Sequence, residues 1–281
     1  MNDTTSYKIN GYQIESFPLI GGTKANLITT KVFNQHGNTF MDAYMDAQDE
    51  ELVFVIPTFN KTRYEVEDER KMLAAICNPI NGTLLMKVTL NTGSVYYRSM
   101  VFIYAPSFLV GAENRNPKWQ KVQLQYEANN PFWYSEEEIV ESFQSVTPEF
   151  IFPFTMAAVD PVYFGDIQPN NIAINTGHVE APVTIRILGT CTNPRIDNLT
   201  TGEYLKFNNL TMGANDVLEI NTAFGEKSVK LNGGTNVFNL LDYTSTFFNL
   251  RVGENEIKFS DNTESPTASI YFYYKNLFIT I

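Results

Sequence analysis

Hydrophobic and polar residues alternate with a period of two along most of this chain, the pattern of strands that bury one face. The clearest run is 183–187, where Val183, Ile185 and Ile187 point one way and Thr184 and Arg186 the other. Asn175-Thr176-Gly177 supplies turn chemistry before it, and Pro182 fits the first residue of a strand, where a missing N–H is tolerated. Val122, Leu124 and Tyr126 alternate in the same way with Gln123, Gln125 and Glu127. Further strands are predicted at 7–20 (broken at Gly11), 27–33, 84–90, 95–104 and 119–128. A second series falls at 204–207, 217–220, 228–231, 247–252, 257–259 and 269–274. Residues 51–56 are apolar on both sides, so this strand is either central in a sheet or covered by another subunit. Residues 36–49 show no clean period.

One segment reads as a helix, over about 62–77. Thr62-Arg63-Tyr64-Glu65 fits a capping box, in which the hydroxyl and the carboxylate satisfy amides that the first turn leaves unpaired. Glu65, Glu67, Asp68 and Glu69 set negative charge against the positive end of the dipole. Val66, Leu73, Ile76 and Cys77 form the apolar stripe, and Asn78-Pro79 followed by Gly82 ends it. Glu136-Glu137-Glu138 with Glu141 reads as a short, solvated acidic helix. Beyond it Pro148, Pro153, Pro161 and Pro169 interrupt regular structure, yet Phe150, Phe152, Phe154 and Phe164 are too apolar for a loose tether. The resulting division is an N-terminal β domain over 1–146 with its single helix, a packed linker over 147–170, and a C-terminal domain over 171–281. Short strands punctuated by Gly202, Gly213, Gly225, Gly233 and Gly253 predict an antiparallel β-sandwich there. The fold class is mainly β.

Length agrees with this division, since 281 residues suffice for two domains that each bury a core. Twenty-one Phe and 15 Tyr favour β structure. A net charge of −11, drawn from both halves of the chain, argues against nucleic acid as a partner, because phosphate binding needs clustered Lys and Arg. Met1-Asn-Asp-Thr-Thr-Ser has neither the basic start nor the apolar run of a signal peptide. The apolar stretch 101–111 is too short for a membrane span and contains Pro106, so no membrane partner is expected. Cys77 and Cys191 fall in different domains and are expected as reduced thiols of a protein made in cytoplasm.

The order of motifs in the C-terminal half carries a resemblance. Asn175, Gly177, Pro182, Asn193-Pro194-Arg195-Ile196, Asn198, Thr201-Gly202-Glu203, Asn232-Gly233, Asn236, Gly253 and Asn255 resemble the C-terminal domain of the distal tail proteins of bacteriophages with long non-contractile tails. The helix ending Asn78-Pro79 and Asn81-Gly82, the strands after it, and Asn130-Pro131-Phe132-Trp133 resemble the N-terminal domain of that family. Residues 21–49 match least. The resemblance implies a ring-forming N-terminal belt and a galectin-like or carbohydrate-module-like jelly roll behind it. It implies a homo-oligomeric ring, usually a hexamer, at the virion tail tip, assembled in the host cytoplasm. Implied partners are further copies of the chain, the tail tube protein, the tail-associated tip protein, and receptor-binding or other baseplate proteins.

No enzyme is expected. The only histidines are His36 and His178, and neither lies in a G-x-S-x-G, H-E-x-x-H or P-loop context. The acidic residues at 65–69 and 136–141 serve a dipole and a solvated face better than a metal ion. No catalytic residue, metal ligand or cofactor is therefore expected. The alternative reading is a module for host cell-surface polysaccharide, with Tyr204, Tyr243, Phe247, Phe248 and the run Tyr271-Phe272-Tyr273-Tyr274 as rings that could stack on sugars. Against it stands the more common use of strand aromatics in cores and subunit interfaces.

Overall fold

In the computed structural model the chain divides into two units, Met1–Tyr134 with Phe278–Ile281, and Ser135–Leu277. The residues described are 8–9, 12–16, 25–144, 171–262 and 268–281. The predicted linker at 147–170 lies outside them.

The first unit is built on a long antiparallel pair. Strand β4 (Gln48–Pro57) runs against β9 (Trp119–Ala128) from Gln48 opposite Ala128 to Pro57 opposite Trp119. Before β4 come β1 (Gln13–Ser16), β2 (Ala25–Thr30) and β3 (Thr39–Met45); between β4 and β9 come α1 (Arg63–Ile76), β5 (Leu84–Thr89), β6 (Val95–Phe102), β7 (Ser107–Phe108) and β8 (Arg115–Asn116). In the sheet β1 borders β4, β6 lies on the far side of β9 with β10 (Trp133–Ser135) next to it, β5 pairs β6, and the short β7 and β8 also meet β9. Strand 51–56 is thus central. Leu52, Phe54 and Ile56 face the core with Val122, Leu124 and Tyr126 of β9, while Val53 and Val55 are half-buried on the other face.

Helix α1 covers this core with Leu73, and Cys77 just beyond it is buried in the same cluster. Val66 and Ile76 of the predicted stripe are half-buried. The capping box is complete: Thr62 Oγ1 accepts from the Glu65 N–H at 3.3 Å, and the Glu65 carboxylate accepts from the Thr62 N–H at 2.6 Å. The helix ends where Asn81 folds back to donate to the carbonyls of Ala75 and Ile76, satisfying acceptors that the last turn leaves open.

The second unit is a two-sheet antiparallel sandwich. One sheet has the order β11 (Ile139–Gln144), β22 (Ser269–Tyr274), β13 (Val183–Leu188), β18 (Val217–Asn221), β19 (Ser228–Leu231), β20 (Thr235–Asn236). The other has the order β12 (Ile172–Asn175), β21 (Gly253–Ser260), β15 (Arg195–Asn198), β16 (Glu203–Lys206), and a small pair joins β14 (Cys191–Thr192) to β17 (Thr211–Met212). Inward positions of both sheets, among them Ile185, Ile187, Ile220 and Phe272 from one and Ile196, Leu205 and Phe259 from the other, meet in one apolar cluster. Each such side chain contributes about 1.5–3 kcal/mol by leaving water.

Three expectations are corrected. The acidic segment at 136–141 is not a helix: residues 139–144 form β11, paired in register with β22 from Ile139 opposite Tyr274 to Gln144 opposite Ser269. This strand falls within the predicted N-terminal domain but belongs to the sandwich of the second unit, so the units part at Tyr134–Ser135 rather than at 146. Residues 247–252 form no strand and make only the bridge between Ala181 and Leu250. Side chains hold its middle: Asn175 donates to the Leu250 carbonyl, and Asn255 binds both the N–H and the carbonyl of Arg251.

Candidate functional site

The residues that carry the family resemblance build turns, and they do so through amides. Asn175 donates to the carbonyls of Val179 and Leu250, both at 2.9 Å, and accepts from the Gly177 N–H at 2.9 Å. Gly177 lies so close to the end of the chain that a Cβ there would sit 2.5 Å from the Leu277 oxygen and 2.8 Å from its nitrogen. Asn198 accepts from the N–H groups of Thr200 and Thr201 and donates to Asn255 Oδ1. Asn255 in turn donates to the carbonyls of Ala173, Arg251 and Gly253. Asn193 and Asn232, both with positive φ, receive the N–H groups of Leu210 and Val217. Asn198 and Asn255 are wholly buried. These side chains are engaged with the backbone of the turns they build.

The acidic residues are similarly engaged. Hydrogen bonds from the Thr62 amide and hydroxyl hold Glu65 below the usual carboxylate range. Glu69 pairs with Lys61 and accepts from the Tyr12 hydroxyl at 2.6 Å, and Glu67 faces Lys71 at 3.3 Å. Inside the unit Glu50 joins Arg98 at 2.6 Å and the Tyr126 hydroxyl at 2.9 Å, and burial, with the Glu50 charge next, pushes the Tyr126 phenol upward. Glu141 accepts from the Tyr274 hydroxyl and the Ile174 N–H. Among the described residues no group of three or more His, Cys, Asp or Glu is placed to hold a metal ion. Cys77 and Cys191 are buried and unpaired, and loss of solvation pushes both thiols up to about 12.

Most of the aromatic candidates are spent on packing. Phe248, Phe272 and Tyr274 are core residues, and Phe247 stacks on Phe238 at 5.6 Å. Tyr273 lies under the Arg186 guanidinium and Tyr204 under that of Arg195, at 5.0 and 4.2 Å. Tyr243 alone of this set is open, at 96% exposure. It stands between Asp242 and Thr244 in a loop that hydrogen bonds to β16.

The feature least expected from the sequence is the hairpin of β2 and β3. It forms a two-stranded sheet of its own, with Ala25 opposite Met45, Thr30 opposite Thr39 and a bulge after Ile28. Leu27, Ile28, Val32, Phe33, Phe40, Met41 and Tyr44 are all exposed on it. Only Lys31 and Asp42 are charged within 25–45, against 18% for the whole chain. The tip is ordered by its own bonds: the Gln35 N–H reaches the Val32 carbonyl, and the Gln35 side chain binds the Val32 N–H and the Thr39 hydroxyl. A two-stranded hairpin is marginal in water, and contiguous exposed apolar surface is uncommon on a soluble monomer. Two paired runs with Asn34 and Gly37 between them were a readable hairpin signal. The absence of a polar face hid it.

The architecture is that of a two-unit β protein whose first unit carries an exposed apolar hairpin. Residues 176–276 match the family model described as the siphovirus-type tail component, C-terminal domain. The whole chain shares its fold with the crystal structure of the phage SPP1 Dit protein, described as a paradigm of the hub adsorption apparatus of phages that infect Gram-positive hosts. The two agree at a TM-score of 0.67 and 11% identity, over 94% of this chain and 93% of that one. Chains of the phage P2 baseplate in its activated conformation align at TM-scores of 0.46 (with Ca) and 0.39 (with Sr), each at 10% identity. They cover 96% and 91% of this chain and 91% of each of theirs. No curated protein sequence matches. The chain thus matches a siphovirus-type tail component by sequence over 176–276 and shares the fold of the SPP1 Dit protein over 94% of its length.

Proposed function

We propose that the protein is the structural hub of a phage tail tip, a homo-oligomeric ring that joins the tail tube to the adsorption apparatus. The observation that carries this reading is the β2–β3 arm, whose apolar side chains find no cover in their own unit. A surface of that kind is complete only in an assembly. A head-to-tail contact that closes on itself gives a ring, and the resemblance gives six as its order. The first unit closes the ring, and the sandwich serves as the docking body for the tip and baseplate proteins. The assembly is carried in the virion and has no catalytic step. Electron microscopy of the purified chain in negative stain tests this: closed rings of uniform size are expected, and a field of single particles at high concentration would contradict it.

A second reading, contact with host polysaccharide, has one observation behind it. Tyr243 offers an uncovered ring beside Asp242, and Asn208 binds the same carboxylate. A glycan screen in which Tyr243→Ala abolishes saturable binding would support it, and a blank screen would remove it.

A further inference from the structure

We infer that the arm of one copy seats Phe33 in a groove of the next copy, lined by Tyr12, Val55, Pro57, Phe59 and Trp119. The inference rests on the ring reading and names the two surfaces that make the ring.

The donor is preorganised. Asn34, at φ 63°, turns the chain at the tip, and the Gln35 bonds fix the loop so that Phe33 is 93% exposed. Ordering the tip before contact reduces what association must spend on entropy. Its seven exposed apolar side chains offer roughly 900 Å2, about what one partner contributes to an interface of standard size. The scarcity of charge on the arm matches the core of such an interface.

The acceptor is on the same chain and is a different surface, as a head-to-tail contact requires. It is an open groove of about 480 Å3 beside β1 and the end of β4, with Phe59 exposed at its edge and Trp119 half-buried in its wall. An aromatic anchor in an apolar pocket is the usual centre of a protein interface. The rims are complementary in charge. The groove carries Lys118 and Glu15, the latter paired with Lys121 at 2.8 Å, and the arm carries Asp42 and Lys31. Glu15 is already paired with Lys121, so the pairing open to the arm is Asp42 with Lys118. A second copy meets these requirements with surfaces that this chain itself displays.

The test uses the full-length chain. Asn38→Cys and Asn60→Cys, near Phe33 and Phe59 and leaving both rings in place, are made singly and together and joined with a short bis-maleimide. Cys77 and Cys191 are buried with thiols pushed up to about 12, so the introduced thiols react first. Both introduced positions are exposed, so the cores are untouched. A mixture of the two single variants should give one covalent dimer containing both, and the double variant a ladder of multimers. Asn38→Cys alone should give none. Phe33→Asp should weaken association at least about tenfold and leave the circular dichroism of the folded chain unchanged. Rings that form without any 38–60 cross-link, or that link 38 to 38, would overturn this contact and leave the ring reading standing. A wild-type chain that stays monomeric throughout would overturn both.

Discussion

At the scale of single residues, the buried amide of Asn255 does the most structural work per atom. It satisfies three carbonyls and receives the Arg251 N–H and the Asn198 amide. Asn255→Ala leaves these groups unpaired in the sandwich core and is expected to cost about 3 kcal/mol, read as a lower denaturant midpoint for the second unit. Gly177→Ala forces a methyl group against the Leu277 backbone, where no flexible side chain can give way. It should destabilise the same unit by about 2 kcal/mol. Asp242 offers a test by pH. Bonds from the Thr244 hydroxyl and N–H and from Asn208 depress its carboxyl from 3.8 to about 2. A depressed carboxyl adds stability that is complete above its ordinary value and disappears as pH falls through the folded one. The amide resonance of Thr244 should therefore hold its position through the ordinary aspartate range and shift with a midpoint near 2. A midpoint near the ordinary value would show that these bonds do not form.

At the scale of elements, what could be read from the sequence depended on whether one face of each element met a core. Strands β9, β13 and β22 bury every second residue, and their alternation is visible in the sequence. Helix α1 announces itself by Thr62 and Glu65, and Thr62→Ala should cost about 1 kcal/mol in the first unit, measured by chemical denaturation. Strand β11 was hidden because its inward positions run Ile139, Glu141, Phe143, so that a carboxylate interrupts the apolar series. Only the folded chain brings the Tyr274 hydroxyl and the Ile174 N–H to that carboxylate. The segment 247–252 has strand composition, yet its one bridge is Ala181 to Leu250, and the side chains of Asn175 and Asn255 bind the backbone of Leu250 and Arg251. The β2–β3 arm has apolar residues on both strands and no core of its own, so no period marks an inner face. The turn-forming asparagines and glycines were legible as motifs, while their role as a buried network was not. The β2–β3 arm was the least legible part, because nothing among the described residues of its own chain covers either of its strands.

At the scale of the whole molecule, the account makes the arm the reason that copies associate. The measurement that tests this most directly is sedimentation across a concentration series, comparing the intact chain with one in which residues 26–44 are replaced by a two-residue turn. The excised strands belong to neither apolar core, so both units should keep their thermal transitions. The account predicts a discrete species of about six chains for the intact protein and a monomer for the shortened one. A ring of unchanged size without the arm would contradict it.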